Sequence, residues 1–181
     1  ADLDFLGTVY VTYTTCDNDV DNACDSATLY LTTLLGVVPD ATLIISAAPN
    51  VMHGLTNFYI TVRVTELNSA TTNGVITVKI PKDTRWILDG AYDPGLTTLG
   101  TTTLNNSEWE YSEDSTTHIF ETVAGGVISA DGFSYFGFNA IWDPGQTKGV
   151  FTMTSQIQSF SGGEDNIGNN VDSESLNYFI E

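Results

Sequence analysis

Along much of the chain, apolar and polar side chains alternate one for one, the period of a strand buried on a single face. The clearest stretch is 58–65, where Phe58, Ile60, Val62 and Val64 alternate with Tyr59, Thr61, Arg63 and Thr65. Ile76, Val78 and Ile80 repeat the pattern around Thr77 and Lys79. Residues 8–13 and 28–32 are β-branched and aromatic runs of the kind that fit a pleated surface. Further strands are predicted at 42–46, 109–111, 118–123, 133–138, 150–157 and 175–180. Turn residues separate them. Asn73-Gly74 tolerates positive φ, and Asp93-Pro94-Gly95 and Asp143-Pro144-Gly145 set Pro and Gly where a turn uses them. Gly125-Gly126, Asp131-Gly132 and Gly162-Gly163 add three more breaks. No stretch holds a helical period with caps. Short strands between turns predict an all-β, antiparallel β-sandwich.

The chain also echoes itself. Residues 17–31 and 165–178 share an Asp-Asn start, a later Asn, an Asp-Ser pair and a following Leu. Self-similarity at long spacing marks a repeat array; the competing account is chance likeness between two Asn/Asp-rich hairpin loops. The repeat account predicts an N-terminal hairpin over 1–36, either the end of a preceding repeat or extra strands, and a sandwich over 37–181.

From Pro39 the order of parts resembles a known family. Pro39-Asp40-Ala41-Thr42-Leu43-Ile44-Ile45 is similar to its opening strand, and 57–65, with Phe-Tyr-Ile-Thr-Val-Arg-Val at its centre, to the second. Residues 74–81, Gly-Val-Ile-Thr-Val-Lys-Ile-Pro, resemble the next strand and its closing proline. Asp143-Pro144-Gly145-Gln146-Thr147 followed by Val150-Phe151-Thr152-Met153-Thr154 resembles the Pro-Gly turn and penultimate strand, and 163–178 the last loop and strand. The family is the Ig-like repeat domains of large bacterial cell-surface adhesins, closest to the gliding-motility adhesins of Bacteroidetes. The long 89–115 segment and the cysteine hairpin depart from its pattern. The resemblance implies an Ig-like sandwich with an additional N-terminal hairpin, in a secreted, cell-surface protein. It implies a stalk, spacer or adhesion role, with neighbouring repeats or like subunits as partners, and supplies no catalytic residues.

Charge narrows the partners. Five Lys and Arg stand against 23 Asp and Glu, a net −18. Such a surface repels phosphate backbones and anionic lipid heads, which argues against nucleic acid as a partner. No apolar run reaches the length of a spanning helix, so no membrane insertion is expected. The start carries no basic, apolar leader and reads as a mature or excised chain. Cys16 and Cys24, the two cysteines, flank an acidic loop. They predict a disulfide and an oxidising compartment; two free thiols in a reducing one is the alternative.

Three chemistries remain. Asp17, Asp19 and Asp21, closed by Asp25, place alternate carboxylates where a hard cation such as calcium takes six to eight oxygens. The loop lacks the Gly and distal Glu of an EF-hand, and a solvated acidic turn explains it equally. A second such cluster is Glu164, Asp165, Asn166, Asn170, Asp172 and Glu174. Second, Trp86, Tyr92 and Trp109, with Tyr111 and Trp142, offer aromatic faces for a surface polysaccharide, centred on 89–115; core packing is the alternative. Third, His53 and His118 sit in no catalytic motif, so no enzyme is expected. Three function classes follow: a structural or adhesive repeat module, a filament subunit assembling by strand donation, and a carbohydrate-binding module.

Overall fold

The computed structural model describes residues 7–18, 23–33 and 36–180. The chain divides into two compact units, Ala1–Val37 and Val38–Glu181, each described by itself. In the first, β1 (Gly7–Cys16) and β2 (Cys24–Thr33) form an antiparallel hairpin that pairs Gly7 with Thr33 and Cys16 with Cys24. A disulfide joins the two cysteines at its tip.

The second unit is an Ig-like β-sandwich. Its strands are β3 (Ala41–Ala48), β4 (Val51–His53), β5 (Thr56–Glu66), β6 (Thr77–Pro81), β7 (Trp86–Leu88), β8 (Thr98–Leu99), β9 (Thr102–Thr103), β10 (Trp109–Glu113), β11 (Thr117–Thr122), β12 (Phe133–Trp142), β13 (Gly149–Ile157) and β14 (Val171–Phe179). One sheet runs β10-β11-β6-β13-β14-β4 and the other β3-β5-β12-β7, while β8 and β9 pair in a small hairpin of their own. All pairings are antiparallel except β14 with β4.

The alternation in the sequence becomes the interior. Phe58, Ile60, Val62 and Val64 of β5 and Phe136, Phe138, Ala140 and Trp142 of β12 point inward from one sheet. Ile76, Val78, Ile80, Phe120, Met153, Ile157 and Leu176 meet them from the other. Phe120 sits at the centre, stacked on Phe136 and Phe138 at centroid distances of 4.4 and 5.1 Å. Rings at that spacing in offset geometry contribute about 0.5–1.5 kcal/mol per pair beyond their area.

Pro49 has no amide hydrogen to give a ladder, and between β3 and β4 the chain passes from one sheet to the other. Asn73-Gly74 does likewise: β5 and β6 lie in different sheets, so this turn is a crossover and not a hairpin. Within this unit β3 starts and β14 ends at opposite ends of the sandwich. At the start of β3, Ala41 N–H donates to Glu164, Thr42 Oγ1 to the Asn169 carbonyl, and Ile45 N–H to Asp172. Those partners precede or open β14, which then runs nine residues, roughly 30 Å at 3.3 Å each, to Phe179 beside His53.

The 89–115 segment folds back onto the sheet and is not a free loop. β7 covers only Ala140–Trp142 of one β12 edge. Beyond it, Asp89 N–H donates to the Asn139 carbonyl, and the Asn106 side chain accepts from Gly137 N–H at 2.9 Å and donates to its carbonyl at 2.8 Å. Asn105 donates its own N–H to the Tyr135 carbonyl and accepts Tyr135 N–H on Oδ1. Gly137 has to be glycine, because a Cβ there would stand 2.8 Å from the Ile60 carbonyl and 3.0 Å from Leu99.

Candidate functional site

Two adjoining recesses lie beside β10 and β11. The first, of about 520 Å³, is lined by Lys82, Asp83, Trp86, Tyr111, Glu113 and His118 among others. The second, of about 600 Å³, is lined by Tyr92, Pro94, Trp109, Glu110 and neighbours, and shares Ala91 and Tyr111 with the first.

Strand alternation puts Tyr111 and Glu113 on one side of β10, and cross-strand pairing sets Glu113 opposite His118. Tyr111 Oη donates to Glu113 Oε2 at 2.6 Å and lies 2.9 Å from His118 Nδ1. The phenol has one hydrogen and gives it to the carboxylate, so Nδ1 carries the imidazole hydrogen and donates to Tyr111. Lys82 completes the group, 3.0 Å from Glu113 and donating to the Asp114 carbonyl.

The same contacts set the protonation states. Burial pushes the His118 imidazole down to about 4, with Lys82 adding to the effect and Glu113 opposing it. Burial, then the bond to Glu113, raises Tyr111 well above the phenol range. The bonds from Tyr111 and Lys82 hold Glu113 low. At neutral pH the group is a neutral imidazole, a neutral phenol and an ion pair. Its charged members, Lys82 and Glu113, lie at the rim, while His118 is buried behind them.

The aromatic platform is corrected by burial. Trp86 is 2% exposed and packs on His118 at 4.7 Å; Trp109 is 1% exposed, packs on Phe136 and donates Nε1–H to Ser134. Tyr92 is half-buried, its hydroxyl on the Asn106 carbonyl. They form the floor and backing of the recesses, with no coplanar pair facing water. Trp109 and Tyr111 do share a strand face, and it is the face turned to the interior.

The cation loops are also rearranged. Asp19 and Asp21 lie outside the described residues. Asp17 accepts Ala23 N–H and Asp25 accepts Ser26 N–H. In the second cluster Asp165 is exposed and Asp172 is committed to Ile45 N–H. Glu164 is buried on Ala41 N–H and the Asn170 amide, and Asn166 and Asn169 both donate to Asp40. Among the described residues no three His, Cys, Asp or Glu side chains converge as a metal set. These acids and amides tie the entry of β3 to the loop before β14.

Two residues, one at each end of the sandwich, were not singled out from the sequence. Glu66, buried at the end of β5, accepts four backbone N–H groups, from Asp40, Asn68, Ala70 and Asp131. A lone acid ending an alternating apolar strand was its signal. Arg85 is held by Asp83 and stacks its guanidinium 4.4 Å over Phe151, near Trp142 and Tyr178.

No protein-family model and no curated protein sequence matches the chain. Among solved structures it is similar to the CARDB domain of a Pyrococcus furiosus protein in complex with di-metal ions. That match has 15% identity, 82% of this chain and 95% of that one covered, and a TM-score of 0.49. It is similar to a cohesin module of a Clostridium perfringens family 33 glycoside hydrolase (13% identity, 81% and 100% covered, TM-score 0.47). It is also similar to the major pilin subunit of Bacillus cereus (10% identity, 92% and 47% covered, TM-score 0.49). Likeness at this level concerns the fold alone.

Proposed function

We propose that the chain is a structural and adhesive repeat module of an extracellular cell-surface protein, a load-bearing spacer with no catalytic role. The observation that carries this is the placement of entry and exit at opposite poles of the sandwich, β3 starting beside the beginning of β14 and the chain leaving at Phe179. Units built this way join head to tail along their long axis.

Tension on such an array loads the terminal strands along their own axes. β3 is held to β5 by eight residue pairs and β14 to β13 by eight, and these break together in shear and not one at a time. The parallel tie of β4 to β14, Asn177 to Val51 through Phe179 to His53, holds the exit end of β14. The net −18 suits a protein crowded at a surface, where it opposes non-specific association.

Pulling the chain between residues 38 and 180 in an optical trap tests the assignment. One cooperative rupture releasing the whole sandwich is expected; stepwise unzipping at low force from either end would remove the spacer role.

A further inference from the structure

The hairpin β1–β2 repeats β13–β14 in register. Aligning Thr12 with Thr152 also aligns Thr14 with Thr154, and aligning Asp25 with Asp172 also aligns Ser26 with Ser173 and Leu29 with Leu176. The cross-strand pairs then coincide. Thr14 faces Ser26 as Thr154 faces Ser173, with hydroxyl–hydroxyl bonds of 2.7 and 3.0 Å. Val11 faces Leu29 as Phe151 faces Leu176. The sequence echo, first visible in the loops, therefore runs through both strands.

The two hairpins differ in what covers them. Met153, Leu176 and Tyr178 of β13–β14 are buried in the sandwich core. Their counterparts Tyr13, Leu29 and Leu31 are 58%, 52% and 51% exposed, and Val9 and Val11 of the same face are exposed too. The strand pairing differs likewise. β13 continues into β6 and β14 into β4, whereas among the described residues β1 and β2 pair only with each other. A two-stranded hairpin with a bare apolar face is marginal in water. Face-to-face packing of two such hairpins from two copies falls short of the roughly 800 Å² per partner of a stable interface, since five half-exposed side chains supply less.

We propose that β1–β2 is the closing hairpin of a second Ig-like unit. Its Val9, Val11, Tyr13, Leu29 and Leu31 face covers the core of a neighbouring repeat that is built like β3–β12 and lacks its own last two strands. β1 adds to that repeat's counterpart of β6, and β2 to its counterpart of β4, by the backbone pairing that joins an extended segment to a sheet edge. The proposal deepens the array assignment and rests on it for the source of the partner, the adjacent repeat.

The experiment transplants the hairpin within the full chain. Residues 149–156 are replaced by the residues of 9–16, and 171–178 by those of 24–31, with 157–170 kept. The expected result is one cooperative sandwich melt and slow amide exchange across both transplanted strands; a chain without a cooperative melt overturns the proposal. In the otherwise unaltered chain, Leu29→Asp leaves the sandwich melt in place while Leu176→Asp abolishes it. A Leu29→Asp chain whose sandwich melt drops overturns the proposal, because the hairpin would then pack on its own sandwich. In the polypeptide as the cell makes it, exchange across 9–16 and 24–31 is slow, and fast exchange there also overturns it. Low-force unzipping in the trap would remove the spacer role and leave the transplant result standing, so the two failures are distinguishable.

Discussion

Replacing Glu66 by Gln removes one charge and changes almost no volume, which makes it a clean probe of the entry pole. Glu66 Oε1 accepts N–H from Asp40 and Asn68, and Oε2 from Ala70 and Asp131, at 2.8 to 3.3 Å. One carboxylate thus ties together the segment entering β3, the turn leaving β5 and the turn entering β12. In the amide, one oxygen still serves two donors, while the NH₂ faces the other two N–H groups and leaves them unpaired. An unpaired buried donor costs about 1–3 kcal/mol, so Glu66→Gln is expected to destabilise the sandwich by about 3–4 kcal/mol. Urea titration at pH 7 reads this as a lower midpoint at unchanged slope. The pH dependence carries a second signature. Burial alone pushes the Glu66 carboxyl up, but the four amides together hold it below its ordinary value of 4.5. A folded-state pKa below the unfolded one gives stability that is present above the unfolded value and lost as pH falls through the folded one. The gap between wild type and Glu66→Gln therefore narrows below about pH 4.5. A loss under about 1 kcal/mol at pH 7, or curves that stay parallel into acid, would refute the reasoning.

His118 acts in a higher pH window. Its folded value near 4 lies below the 6.5 of a free imidazole, so the unfolded chain takes up a proton between these values that the folded one refuses. Stability falls by about 3 kcal/mol as pH drops from 6.5 to 4, and His118→Phe flattens that slope; an NMR titration midpoint near 6.5 would contradict it. Asn106→Ala strips three bonds from backbone groups of Asp93 and Gly137 and is expected to cost about 2–4 kcal/mol in chemical denaturation. A cost within experimental error would show that water replaces the side chain. Reducing Cys16–Cys24 removes a short loop closure, about 2–3 kcal/mol of hairpin stability. Amide exchange in β1 and β2 should then speed up while the sandwich melt stays in place; a shifted sandwich midpoint would show that the units are coupled.

The long alternating strands were legible because a face buried against a core writes a period of two into the sequence, as in β5 and β12. The short strands β4, β7, β8 and β9 were not. Two or three residues hold too little alternation to show a period. β14 begins at Val171, four residues before its legible part, because Asp172 and Ser173 are polar residues used for hydrogen bonds and not for burial. Asn73-Gly74 announces a reversal, but turn chemistry does not say which sheet receives the next strand. For the candidate site, Trp109 and Tyr111 alternate identically whether their face meets sugar or core, so only burial separates the two. Asn105 and Asn106 sit in what reads as polar loop, and their work depends on Tyr135 and Gly137, some 30 residues away.

The asparagines along β12 have a consequence for molecules held close together. A strand laid on a sheet edge satisfies one row of amides and carbonyls and presents another, so the edge is moved and not removed. Asn106 meets Gly137 through its side chain, and Asn105 meets Tyr135 with one backbone N–H and one side-chain oxygen. Neither repeats along a strand axis, so no further chain can take up their register. The sheet is terminated there, which closes that stretch of edge to pairing with another chain.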